Sequence, residues 1–209
     1  MVKKPSILLL DEPFSNLDAP MKAQLRNELK RIHKAYDTTF VYVTHDRYDA
    51  LTLADRIVVL KDGIIEMEGT TAEVYNEPVN RFCASFLSSP EMNFFEEVPV
   101  SPDGEISLLG ASYRLTGAER KHLGKEKTIT VGIRGTNIAI GNKGEKARIT
   151  MIEPIEADLI IHAEENGNPF TITERMREDY SIPYFKDQEI LVEADSRYFH
   201  LFDKEGKRL

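Results

Sequence analysis

The chain has 209 residues, 41% of them hydrophobic and 30% charged, and a formal net charge of −8 from 27 basic and 35 acidic side chains. This is ordinary globular composition with room for one large or two small domains, which excludes disordered, collagen-like and coiled-coil classes. Charge is acidic in both halves, −2 over residues 1–90 and −6 over residues 91–209, arguing against free nucleic acid or anionic membrane as the main partner, since both reward basic surface.

The opening Met1-Val2-Lys3-Lys4 and the apolar residues after it lack the small-residue cleavage site of a secretory signal. The run Ile7-Leu8-Leu9-Leu10 suits a strand buried on both faces and is far short of the roughly 18 apolar residues of a bilayer-spanning helix. Asp18 can cap a helix that admits Pro20 in its first turn, with Met21, Leu25, Leu29 and Ile32 as one apolar stripe. Thr39 to Val43 is a second buried strand, and Arg47 to Ala54 a short helix. Ile57–Leu60 and Ile64–Met67 flank Lys61-Asp62-Gly63, a hairpin turn. Thr70 with Glu73 is a capping box, and a further helix follows Pro78 to about Leu87. Cys83 is the single cysteine, so no internal disulfide or cysteine-based metal site can form, and a reducing, cytoplasmic setting is expected.

After Ser88-Ser89-Pro90 the helix-period stripes stop, and a domain boundary is expected near residue 90. Ile129–Ile133, Ala147–Ile152, Leu159–His162, Phe170–Thr173 and Ile190–Glu193 are strand candidates spaced as in a small barrel or sandwich. The runs Arg120-Lys121 and Lys143 to Lys146 are expected in solvated loops. The fold class expected is therefore α/β over residues 1–90, followed by all-β over residues 91–209.

The chemistry concentrates where the first strand ends in Asp11-Glu12-Pro13. Open parallel sheets take ligands at the carboxyl ends of their strands. Two adjacent carboxylates there can divide the work, Asp11 holding a Mg²⁺ shell and Glu12 orienting or deprotonating an attacking water. Such a run taken alone can also be a structural strand end with a turn-capping acid, the less frequent reading. Its context is Ser15-Asn16-Leu17-Asp18 shortly after, and Thr44-His45-Asp46 directly after the next strand.

Together these segments resemble the ABC transporter nucleotide-binding domain, in the order Walker B strand, D-loop and switch histidine. The resemblance implies a partial P-loop NTPase unit binding ATP and Mg²⁺. It makes Asp11 the Mg²⁺ ligand, through water, Glu12 the catalytic carboxylate and His45 the γ-phosphate sensor. It puts Ser15 and Asp18 in the nucleotide-binding segment that reaches across a dimer. A neutral imidazole that donates to a phosphate oxygen and accepts from a neighbour suits such a sensor.

Leu53 to Leu60, Gly63, Gly69, Glu77-Pro78, Phe82, Phe86 and Met92-Asn93-Phe94 follow the order seen in carbohydrate-importing members, of the maltose and glycerol-phosphate type. Those carry a C-terminal regulatory domain of oligonucleotide-binding-like (TOBE) barrels, which residues 91–209 resemble in length and strand pattern, with Val131-Gly132-Ile133-Arg134 and Phe199 to Asp203 as the closest segments. Arg134-Gly135 stands where the family has Arg-Pro, and Arg134 and His200 are read as packing or surface residues.

The 209 residues contain no Gly-x-x-x-x-Gly-Lys-Ser/Thr phosphate loop, Ser-Gly-Gly signature or glutamine loop. In a complete member all three lie upstream of the Asp-Glu strand, so the chain is expected to be the C-terminal piece of an importer ATPase subunit, inactive alone because phosphoryl transfer depends on that loop. The expected partners are a second copy, transmembrane permease subunits and a regulatory protein on the barrel domain, with the subunit held peripherally on the inner face of the membrane. One alternative is a stand-alone dimerisation or regulatory module without nucleotide chemistry, which would dimerise without ATP. A helicase-like motor is the other, since helicases also carry a strand ending in Asp-Glu, but Pro13-Phe14 and the acidic second half disfavour it.

Overall fold

A computed structural model of the chain describes residues 6–15, 17–36 and 38–209. It divides into two compact units, Met1–Glu77 and Pro78–Leu209.

The first unit opens with strand β1 (Ile7–Asp11), helix α1 (Ala19–Ala35) and strand β2 (Thr39–Val43), a βαβ crossover with the strands parallel and in register from Ile7 opposite Thr39 to Asp11 opposite Val43. Asp18 starts α1 as expected, its carboxylate accepting from the Met21 amide at 2.9 Å, with proline in the first turn. Helix α2 (Arg47–Leu53) follows, then the antiparallel hairpin β3 (Arg56–Lys61) and β4 (Ile64–Thr70). Its turn places Asp62 and Gly63 at φ 51° and 77°, the left-handed pair that a two-residue hairpin demands. The expected capping box forms at Thr70 and Glu73 and opens α3 (Thr71–Asn76).

Burial in this unit departs from expectation. Ile7, Leu9, Val41 and Val43 are 57%, 73%, 45% and 52% exposed. Among the described residues β1 and β2 pair only with each other, and alternate side chains of a strand face opposite ways. One face is therefore covered and the other open, and no residue of α1 is fully buried.

The second unit begins with α4 (Arg81–Phe86), capped by the Asn80 side chain, and continues into β5 (Asn93–Pro99), the hairpin β6 (Glu105–Leu108) and β7 (Ala111–Arg114), helix α5 (Gly117–Leu123) and β8 (Thr128–Ile133). Then come β9 (Ile138–Gly141), β10 (Glu145–Ile155), β11 (Asp158–Glu165), β12 (Asn168–Arg175), β13 (Glu189–Ala194) and β14 (His200–Phe202). All five strand candidates of the second half are strands. The second unit starts earlier than residue 90, because Arg81 donates its amide to Gly206 and Arg208 donates to Val79, tying α4 to the chain end.

Two antiparallel sheets result, β12-β11-β10-β13-β9 and β14-β8-β5. They share one core, to which Val131 and Ile133 contribute from the smaller sheet and Ile149, Ile161, Ile172 and Val192 from the larger, all fully buried. Phe95 meets Phe170 across it at 5.8 Å. The expected barrel is not closed by any ladder among the described residues. Between β5 and β12 a side chain stands in for one: Asn93 Nδ2 donates to the Thr171 carbonyl and Asn93 Oδ1 accepts from the Thr171 amide, each at 2.8 Å.

The basic runs match expectation only in part, Lys143 being exposed between strands. Arg120 and Lys121 lie in the last turn of α5, not a loop, where cations favour the helix carboxyl end. Lys143 stands in the turn before β10 and pairs with Glu193 at 3.0 Å, and Lys146 is in β10.

Candidate functional site

The ends of β1 and β2 bring Glu12 and His45 together. The Glu12 amide extends the parallel ladder by donating to the Val43 carbonyl at 2.9 Å. Glu12 itself sits at φ 42°, an uncommon conformation for a residue with a side chain, found where surrounding structure enforces a sharp turn. The chain after it is anchored by Phe14, which is buried and meets the Tyr42 ring edge-on at 5.7 Å.

Across this corner Glu12 Oε1 and His45 Nδ1 are 2.9 Å apart. An ionised carboxylate only accepts hydrogen bonds, so against an ionised Glu12 it is Nδ1 that would carry the proton and donate. The sequence reading has the imidazole accept from its neighbour; in this arrangement it would donate instead. A neutral ring protonated at Nδ1 leaves Nε2 an acceptor, which cannot donate to a phosphate oxygen. Serving both Glu12 and an anionic ligand therefore requires both ring nitrogens to carry protons.

Asp11 ends β1 with an exposed side chain. Among the described residues no group of three or more His, Cys, Asp or Glu could hold a metal ion. One hard carboxylate in an open position fits Mg²⁺, which keeps most of its shell as water and phosphate oxygen and takes one or two protein carboxylates. Ser15 is exposed, its amide bonded to the Glu12 carbonyl at 3.2 Å. Asp18 has one carboxylate oxygen committed to capping α1. Asn16, between them, lies outside the described residues.

A set of charged residues behind His45 escapes a reading by motif. Asp46 caps α2, accepting from the amides of Tyr48 at 2.9 Å and Asp49 at 3.3 Å. The cap, the backbone bonds and Lys22, 3.4 Å away, hold its pKa below the usual carboxylate value against the opposing effect of burial, the largest single influence. Asp49, 1% exposed, accepts from Arg26 Nε and, at 3.0 Å, from the Tyr42 hydroxyl. Burial, then the bond to Asp49, pushes the Tyr42 phenol far above its usual pKa. The signal that could have exposed this set is an acid in the first turn after a capping aspartate, with lysine and arginine four apart on the preceding helix.

In the second unit Arg134 and His200 prove to be interior residues, 8% and 6% exposed. Arg134 Nη1 is 3.3 Å from His200 Nε2, and its Nε is 3.3 Å from Ser88 Oγ.

No helix among the described residues is long and apolar enough to cross a membrane. No protein-family model matches the chain. Over 98% of its length it is 34% identical to the osmoprotective compounds uptake ATP-binding protein GgtA of Synechocystis, covering 58% of that protein. It is 35% identical along its whole length to the sn-glycerol-3-phosphate import ATP-binding protein UgpC of Vibrio vulnificus and 36% to that of Rhizobium meliloti, covering 56% and 58% of them. The chain thus spans little more than half the length of these relatives, yet the likeness runs from end to end of it and includes both units. Along its whole length the chain is thus similar to part of the ATP-binding subunits of importers.

Proposed function

We propose that the chain carries the hydrolytic carboxylate and the sensing histidine of an ATP-driven importer subunit. The observation that carries this reading is the 2.9 Å contact of Glu12 with His45 at the carboxyl ends of two parallel strands, the edge at which α/β sheets take ligands. Bound Mg-ATP would supply the phosphoryl group and the charge that polarises it. Asp11 would hold the ion through water. Glu12 would orient the attacking water and take up its proton. His45, protonated on both nitrogens, would donate to Glu12 and to a phosphate oxygen. Ser15 and Asp18 would serve the nucleotide across a dimer with a second copy.

The imported solute would be a sugar or sugar phosphate, a class to which the glycerol-3-phosphate import relatives lend support by name. Residues 91–209 would be an oligonucleotide-binding-like regulatory domain that receives a regulatory protein and pairs copies. The subunit would sit at the cytoplasmic face of the membrane, held by transmembrane permease subunits, without inserting and without binding nucleic acid. In the complete subunit Glu12→Gln should bind Mg-ATP and release no phosphate; unchanged turnover would remove Glu12 from this role.

A second reading, a dimerising or regulatory module without nucleotide chemistry, is favoured by the lack of a phosphate-loop sequence in these 209 residues. It requires a dimer in the absence of ATP, and sedimentation of a monomer at tens of micromolar would dismiss it.

A further inference from the structure

The contact between Glu12 and His45 does not hold itself in place. Their side chains are 45% and 72% exposed, and an exposed pair of this kind gains little against solvent and side-chain entropy. His45 must be placed by the backbone on either side of it. Before it runs β2, which among the described residues pairs with one neighbour and leaves one face open. After it comes α2, seven residues long, too short to be stable on its own propensity.

What fixes α2 is charge brought from α1. Arg26 is 13% exposed and its partner Asp49 2% by side chain. Its Nη2 also reaches Asp46 at 3.8 Å, Lys22 adds a contact to Asp46 at 3.4 Å, and the guanidinium lies 4.7 Å from the centre of the Tyr48 ring. Tyr42 closes the set from β2. The Asp46 amide donates to Thr44 Oγ1 at 2.9 Å, so both neighbours of His45 are bound to one another, and the second of them is clamped to α1.

We propose that Arg26 and Asp49 are positioning residues for His45, an ion pair with Asp49 buried and Arg26 largely covered that orients the corner between β2 and α2 so that the imidazole meets Glu12. The proposal rests on the reading of Glu12 and His45 given above. It also joins two parts of that reading, because the helix that carries Arg26 begins at Asp18.

The test uses the 209-residue chain without nucleotide. Long-range proton–nitrogen correlation spectra of the His45 ring, in alkaline solution, report which nitrogen carries the proton. The wild-type chain should show the Nδ1–H form that Glu12 selects. Asp49→Asn keeps the size of the side chain and an acceptor for Tyr42 but removes the charge facing Arg26. It should abolish the Nδ1–H preference and speed amide exchange in α2 by about tenfold or more, as expected for loss of a charged hydrogen bond. Arg26→Lys, which keeps the charge and loses the fork, should fall between. Lowered stability with an unaltered His45 tautomer would make the pair merely structural and overturn the proposal. If Asp49→Asn does not fold, Arg26→Lys carries the test, because it alters the ion pair itself, and an unaltered tautomer there is equally fatal. A wild-type chain with no Nδ1–H preference would instead undercut the functional reading itself, which separates the two failures.

Discussion

His200 lies against Arg134 in the interior of the second unit, Nε2 to Nη1 at 3.3 Å, so a protonated imidazole there would face a guanidinium with little water between them. Burial first, then Arg134 and Arg208, pushes the His200 pKa down from 6.5 to about 4. Between those values the unfolded chain binds a proton that the folded chain refuses. Stability therefore rises with pH through this window, is fully present above it and is lost toward its acid end, by on the order of 3 kcal/mol in all. The denaturant midpoint of the second unit should fall from pH 7 to pH 4.5, and His200→Phe should flatten that slope. An equal slope in the variant would place the acid sensitivity elsewhere.

Glu145 and Glu165 share a proton with the opposite consequence. Burial, then the bond to Glu145 and its charge, raises the Glu165 pKa to about 7, while Glu145 is lowered by that bond and by the Leu109 and Gly110 amides. With the folded value above the unfolded one, this proton favours folding at low pH, and its contribution is lost as pH rises through about 7. Glu165→Gln can donate to Glu145 without a titrating proton. Its melting temperature should match wild type at pH 5 and exceed it at pH 8; a deficit at pH 8 would contradict the shared proton.

Gly144 ends the turn into β10 at φ 111°, and a Cβ built there would fall inside the contact shell of the Val192 carbonyl oxygen. Gly144→Ala should cost about 3 kcal/mol or more, since both the conformation and the space forbid it. Gly117, at the first position of α5 with nothing near its Cβ, is the control. Gly117→Ala should be neutral or stabilise by up to about 1 kcal/mol. Equal effects in urea unfolding would refute the packing argument.

The 209-residue chain on its own should neither bind Mg-ATP measurably by calorimetry nor release phosphate from it. Asp11, Glu12 and His45 supply a water-side half-site, and the backbone donors and lysine of a phosphate loop are not in this sequence. Micromolar binding by the chain alone would reveal a nucleotide site outside the three motifs.

Elements whose signal is local were legible. Asp18 with Pro20, Thr70 with Glu73 and Asp62-Gly63 each specify their turn or cap within four residues, and all three form. The same rule was present and overlooked at Thr116 and Glu119, where a capping box opens α5; the adjacent Arg120-Lys121 was read as a charge run. Strands β5 and β14 were hidden because both pair with β8, far along the chain. The exposure of Ile7 and Leu9 was illegible for a related reason, since burial of a strand depends on what lies over each face. At the site, the three motifs announced Glu12 and His45, but the partner of Asp49 is on another helix and only the fold reveals it.

The larger sheet has consequences for the order in which the second unit assembles. β10, β11 and β12 form a meander joined by two-residue turns, Glu156-Ala157 and Asn166-Gly167, so its pairings close short loops at small entropic cost. Among the described residues β9 joins the sheet only through β13, from which the whole meander separates it in sequence. The meander is thus the natural nucleus and the β9–β13 ladder the late step. Pulse-labelled amides should become protected first in Ile160 to Ile172 and last in Ile138 to Ile140, and substitutions in the late ladder should speed unfolding more than they slow folding.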